Sequence, residues 1–141
     1  MAHKIFLDAN IMLDFTLQRE IGFDAAQKII EETMRGKVKT FVTPAVIHIC
    51  GYWLKKKYDI KITKELLLLL LNDIKVIDSS HVITVQALHS DMTDVEDALQ
   101  YYAALQHNLD FFISRDAPLK KAAKPSLPVY TPSEFIKLFL S

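Results

Sequence analysis

Two unbroken apolar triplets, Ile5-Phe6-Leu7 and Phe111-Phe112-Ile113, constrain the fold of this chain more than any other feature. Each is short and lacks polar alternation, the pattern of a strand buried on both faces. Such strands belong to parallel sheets, whose crossover connections cover both faces with helices. Thr40-Phe41-Val42, Val76-Ile77 and Val129-Tyr130 read as further short strands. The residues between them supply helices: Asn10 to Phe15, Phe23 to Met34, a segment opened by Pro44 and running to Leu54, a leucine run capped by Thr63, His81 to His89 built on Val82, Val85 and Leu88, and a terminal helix from Ser133. With 141 residues, half of them apolar, the chain suffices for one continuous core. An α/β domain with a mostly parallel central sheet over residues 1–141 is the expected architecture.

Met92 to Leu105 is the helix that carries chemistry. Thr93 with Glu96 three residues on is a capping-box signature, which predicts a start at Thr93 and a buried stripe of Val95, Ala98, Leu99, Tyr102 and Leu105. Asp94 and Asp97 then fall one turn apart beside that stripe. Complementing the helix dipole accounts for Glu96 and mostly for Asp94, but Asp97 lies beyond the positions where a cap needs an acid. Asn108 is the expected C-cap.

Ligands of parallel sheets bind beyond the C-terminal ends of the strands, and both Asp8 and Asp116 follow the end of an apolar triplet. Clustered carboxylates raise one another's pKa unless a cation sits among them. Oxygen ligands without cysteine or histidine suit Mg²⁺ or Mn²⁺, and His3, His48, His81, His89 and His107 show no zinc spacing. A cation in an aspartate cage is suited to phosphodiester hydrolysis, because it activates water and neutralises charge on the leaving oxygen.

Other signals exclude more than they assign. Seventeen basic and seventeen acidic residues cancel, so no global field favours nucleic acid or membrane, and a phosphate-binding surface must be local. Arg35, Lys37 and Lys39, then Lys55 to Lys57, then Lys120, Lys121 and Lys124 are the candidates, the last group nearest Asp116. One cysteine, Cys50, rules out an intramolecular disulfide and reads as a small apolar residue of a reducing compartment. Asp8 interrupts the first apolar run too early for a signal peptide, so a cytoplasmic location is expected. Leu66 to Leu71 falls well below the ~20 residues of a membrane span and reads as part core, part interface with another chain; a homodimer is expected.

Three pieces in this order, Phe6-Leu7-Asp8-Ala9-Asn10-Ile11-Met12-Leu13-Asp14, Asp94-Val95-Glu96-Asp97-Ala98-Leu99-Gln100 and Ile113-Ser114-Arg115-Asp116, resemble the motifs of PIN-domain nucleases of the VapC toxin type. The resemblance implies a three-layer α/β/α sandwich and a Mg²⁺- or Mn²⁺-dependent endoribonuclease, the toxin of a toxin–antitoxin pair, with RNA as substrate and an antitoxin protein as partner. It implies that Asp8, Asp97 and Asp116 bind metal and that Asp94 is an accessory catalytic acid. Asn10 and Ser114 would orient the carboxylates. Arg115 would reach a substrate phosphate or else be a surface residue that pairs with an acid. The family usually supplies a further acid from the helix after the second strand, yet no Asp or Glu occurs between Thr33 and Tyr58. Ile49 aligns with that acid and His48 is adjacent, read as a hydrogen-bonded core residue or as a ligand. The alternative is therefore a weakened PIN module that binds RNA or a protein without cleaving. An aspartate-nucleophile phosphatase is disfavoured, since Asn10 stands where its second acid would be.

Overall fold

A computed structural model describes residues 2–140. Five strands, β1 (His3–Leu7), β2 (Val38–Val42), β3 (Ile74–Val76), β4 (Phe111–Ile113) and β5 (Val129–Tyr130), form one sheet in the order β3-β2-β1-β4-β5. Every pairing is parallel, as the unbroken apolar runs require. The helices are α1 (Ala9–Thr16), α2 (Phe23–Met34), α3 (Pro44–Leu54), α4 (Ile60–Leu70), α5 (His81–His89), α6 (Val95–Gln106), α7 (Ala117–Ala122) and α8 (Pro132–Phe135), followed by a π-helical turn (Ile136–Leu140). They flank the sheet as the outer layers of an α/β/α sandwich.

The chain steps outward from β1 through β2 to β3, then returns to the other side of β1 for β4 and β5. The β1–β4 boundary is thus the switch point of the sheet, where adjacent connections diverge and leave a crevice at the strand ends. Beneath it the core is apolar: Phe6 and Phe112 are register partners and stack at 4.8 Å, and Ile5, Leu7 and Ile113 are fully buried beside them.

Several element boundaries differ from those expected. The leucine helix α4 is capped by Asp59, whose carboxylate accepts from Ile62 N at 2.8 Å, while Thr63 lies buried inside the helix. The third strand is Ile74–Val76 rather than Val76-Ile77. The last helix is opened by Thr131 and Glu134 in a reciprocal capping box, two residues before Ser133. Helix α7 was not anticipated, because its six residues are too few to show a period. Of the leucine run, Leu66, Leu67 and Leu70 pack on the core while Leu68 and Leu69 are 65% and 64% exposed. Helix α5 buries only Ala87; Val82, Val85 and Leu88 face outward. Among the described residues, no helix is long and apolar enough to cross a membrane.

Tyr101 ties α6 to the loop that feeds β5. Its ring is fully buried, and its hydroxyl donates to Leu127 O and accepts from Lys124 N, both at 2.7 Å. Tyr101→Phe leaves a backbone donor and acceptor without their partner, and a loss of about 2 kcal/mol is expected in chemical denaturation. A loss below a few tenths of that would mean water replaces the hydroxyl.

Candidate functional site

Asp8 is the residue after β1 and precedes α1 with no side-chain cap bond of its own. Its backbone N donates to Ile113 O across the switch point at 3.1 Å. Ser114, the residue after β4, is buried and its hydroxyl donates to Asp8 Oδ2 at 2.8 Å while accepting from Asp116 N at 3.1 Å. One hydroxyl thus fixes both the first carboxylate and the turn that carries the third.

Asp116 is the N-cap of α7 and accepts from Leu119 N at 2.9 Å. Asp94, rather than Thr93, is the N-cap of α6, accepting from Asp97 N at 3.0 Å. The helix therefore starts at Val95, and Asp97 is its third residue, inside the first turn after all. The later start also rotates the buried stripe: Ala98, Tyr101 and Ala104 form its centre, Leu99, Tyr102 and Leu105 are half-buried, and Val95 is 58% exposed.

Asp8, Asp94, Asp97 and Asp116 line one cleft of about 480 Å³ together with Asn10, Ile49, Trp53, Glu96, Gln100 and Arg115. Burial, more than any other cause, raises the Asp8 carboxyl above its ordinary value, with Asp116 adding repulsion and Ser114 opposing. Asp97 is pushed up to about 8, first by burial, then by a hydrogen bond with Asp116 and by the charges of Asp116, Asp8 and Asp94. The acid of α6 is thus the one on which the burial and the repulsion of the cluster fall. A second depression, lined by Asp94, Asp97, Asp116 and Lys121, opens beside the first.

The donor set is all oxygen, and Asp8 and Asp97 are raised chiefly by burial and further by neighbouring charges of the same sign, which fits a hard divalent cation in chemistry. Among the described residues no group of three or more His, Cys, Asp or Glu side chains stands close enough to hold an ion, so Asp8, Asp97 and Asp116 do not form a ready-made cage.

Other expected roles are redistributed. The Asn10 side chain accepts from Arg19 Nη1 at 3.4 Å instead of orienting a carboxylate. Arg115 forks onto Asp14, with Nη2 3.0 Å from Oδ1 and 2.9 Å from Oδ2, and Arg19 Nη1 adds a contact at 3.4 Å. Asp14 is fully buried, while Arg115 itself is exposed, so the surface arginine pairs with an interior acid. His48 is exposed on α3 and is not a core histidine, while Ile49 does stand in the cleft. Of the basic clusters, Arg35 and Lys37 are drawn to buried Glu32, and Lys120 is paired with Glu134 at 2.5 Å. Cys50 is buried, its thiol pushed up to about 12 chiefly by burial.

A family model described as PIN domain matches residues 4–117, the span that holds all four acids. The chain belongs to the PIN domain family. Solved structures agree on the fold. A chain of the Klebsiella pneumoniae toxin-antitoxin complex is similar with a TM-score of 0.68 and 21% identity, over 91% of this chain and 97% of that one. A chain of VapBC2 from Rickettsia felis, in a structure bound to a promoter DNA fragment, gives 0.66 and 15%, over 91% and 98%. PAE2754 from Pyrobaculum aerophilum gives 0.65 and 18%, over the whole of both chains. No curated protein compared with the chain matches it. The PIN fold explains why acids from β1, α6 and the β4–α7 turn meet: each follows a strand end or opens a helix on the same rim of the sheet.

Proposed function

We propose that this PIN domain is an endoribonuclease that hydrolyses RNA phosphodiester bonds with Mg²⁺ or Mn²⁺, and that it is the toxin of a toxin–antitoxin pair. The observation that carries the reading is the meeting of Asp8, Asp94, Asp97 and Asp116 at the switch point, two of them with raised pKa values. Asp8, Asp97 and Asp116 would hold the cation, which when bound activates water and screens charge on the leaving oxygen. Ser114 donates to Asp8, and Asp94, which lines the same cleft, would orient the attacking water. The pairs in the similar Klebsiella and Rickettsia structures support an antitoxin partner. The outward apolar residues Leu68 and Leu69 on α4 and Val82 and Leu88 on α5 offer surface for that partner or for a homodimer.

A second reading is a PIN module that binds RNA or protein without cleaving, favoured by Ile49 at the cleft wall where the family usually has an acid. Incubating purified protein with a mixed RNA pool and Mn²⁺ separates the two. Cleavage by wild type, lost in Asp8→Asn and in chelator, supports the nuclease; wild type no more active than Asp8→Asn would leave the binding module.

A further inference from the structure

The cleft is a poor trap for a polyanion by charge alone. Its rim carries Asp8, Asp94, Glu96, Asp97 and Asp116, and its one arginine, Arg115, is forked onto buried Asp14. Of the other basic groups near Asp116, Lys120 is paired with Glu134, while Lys121 lines the depression beside the cleft. The chain as a whole has zero net charge. Affinity for a nucleic-acid strand then gains from contacts other than phosphate neutralisation.

The wall formed by α3 supplies it. Helical periodicity groups Trp53 with the buried Val46, Cys50 and Leu54, yet Trp53 is 45% exposed and lines the same cleft as the carboxylates, next to Ile49 one turn earlier. Its indole is held in orientation on two sides. Tyr52 meets it edge-on, with centroids 5.4 Å apart and planes at 87°, and Lys56 Nζ lies 4.6 Å from both ring centroids. A lone exposed aromatic residue needs no explanation, but a fixed indole over an apolar neighbour inside an acid-lined cleft does.

We propose that Trp53, with Ile49 beneath it, is a stacking platform for one unpaired base of a single-stranded RNA, adjacent to the phosphate presented to the carboxylates. This rests on the nuclease reading and assigns the base contact to one side chain of α3. A base in a duplex is stacked on both faces and cannot reach the indole, so the platform takes a base already free of its stack. Stacking is indifferent to base identity, so the platform positions the strand without reading its sequence. Lys56, at the rim of the same aromatic pair, is the group that meets the flanking phosphate.

Trp53 is the only tryptophan in the chain, so its fluorescence reports the contact directly. The probe is a short single-stranded oligoribonucleotide, titrated into the Asp8→Asn protein so that no cleavage intervenes, with binding followed in parallel by anisotropy of a label on the strand. Quenching of Trp53 by this strand, absent with the same strand made abasic and with its duplex, is the expected result. In the active protein Trp53→Ala should raise KM for single-stranded RNA roughly tenfold with a smaller change in kcat, and Trp53→Phe should restore most of the loss. Binding by anisotropy without quenching, or equal quenching by the abasic strand, overturns the platform and leaves the nuclease reading untouched. No binding at all, with no cleavage by wild type, overturns both.

Discussion

Asp97→Asn is expected to raise the melting temperature of the metal-free protein while removing cleavage. In an unfolded chain Asp97 titrates near its ordinary value of 3.8, whereas in the fold it is pushed up to about 8. Between those pH values the folded protein keeps a proton that the unfolded chain has released. Its contribution to stability is therefore full below pH 3.8 and is lost as pH rises toward 8. The raised Asp8 carboxyl acts in the same direction. Metal-free wild type should melt at progressively lower temperature from pH 5 to pH 8, and asparagine, which keeps a neutral group beside Asp116 without titrating, should flatten that slope. Calorimetry across the pH series checks this; a wild-type profile that rises over the interval would contradict it. A cation works the other way, displacing the proton of Asp97, so Mn²⁺ should raise the melting temperature of wild type at pH 7 and release protons, neither of which Asp97→Asn should show. Loss of a ligand to the ion should lower cleavage by at least about a hundredfold, as the ion is asked for several kcal/mol of the barrier.

Gly22→Ala should be the most destabilising of the glycine-to-alanine substitutions in this chain. Gly22 precedes α2 with φ of 101°, a conformation that side chains rarely adopt. A Cβ there would collide with Asp14 Oδ2, and would lie 2.7 Å from Asp14 Cγ and 3.1 Å from Arg115 Nη1. The carboxylate has nowhere to go, because it is fully buried and held by two guanidinium groups. Displacing it separates charges that are no longer bathed in water. Strain and collision together should cost about 3 kcal/mol, or about 10 °C in melting temperature for a domain of this size. A second consequence follows from Arg115 being the residue before Asp116: the variant should also lose affinity for Mn²⁺. Gly36 is the control. It too has positive φ, at 78°, but an added Cβ meets nothing within 4 Å, so Gly36→Ala should cost the backbone strain alone.

What the sequence disclosed and what it hid divide along physical lines. Strands buried on both faces must be apolar without interruption, so Ile5-Phe6-Leu7 and Phe111-Phe112-Ile113 were legible and their parallel pairing followed. Acids at the ends of such strands stand out, which is why Asp8 and Asp116 could be singled out and joined to Asp94 and Asp97 in one cleft. Helix starts were less legible. Thr93 and Asp94 are adjacent and both good caps, and the choice is made by which backbone turn the loop allows; Asp94 wins, and one residue of shift is enough to turn Val95 outward. Asp59 prevails over Thr63 in the same way. Partnerships across the chain were hidden. Asp14 reads as one polar residue among the apolar ones of α1, and nothing local shows that its counter-ion lies 101 positions away at Arg115. The place of Trp53 was hidden for the same reason, since an apolar period cannot tell a side chain facing the core from one facing a cleft.

The hydrogen bond from Ser114 to Asp8 spans 106 positions, and with it the parallel pairing of the central strand to its later neighbour. During synthesis the chain can complete β2 and β3 beside β1 well before Asp116 has left the ribosome. Until then the first aspartate has at most the acids of α6 beside it and lacks both Asp116 and the hydroxyl of Ser114. A nascent chain therefore carries no complete acid cluster until β4 has docked against β1.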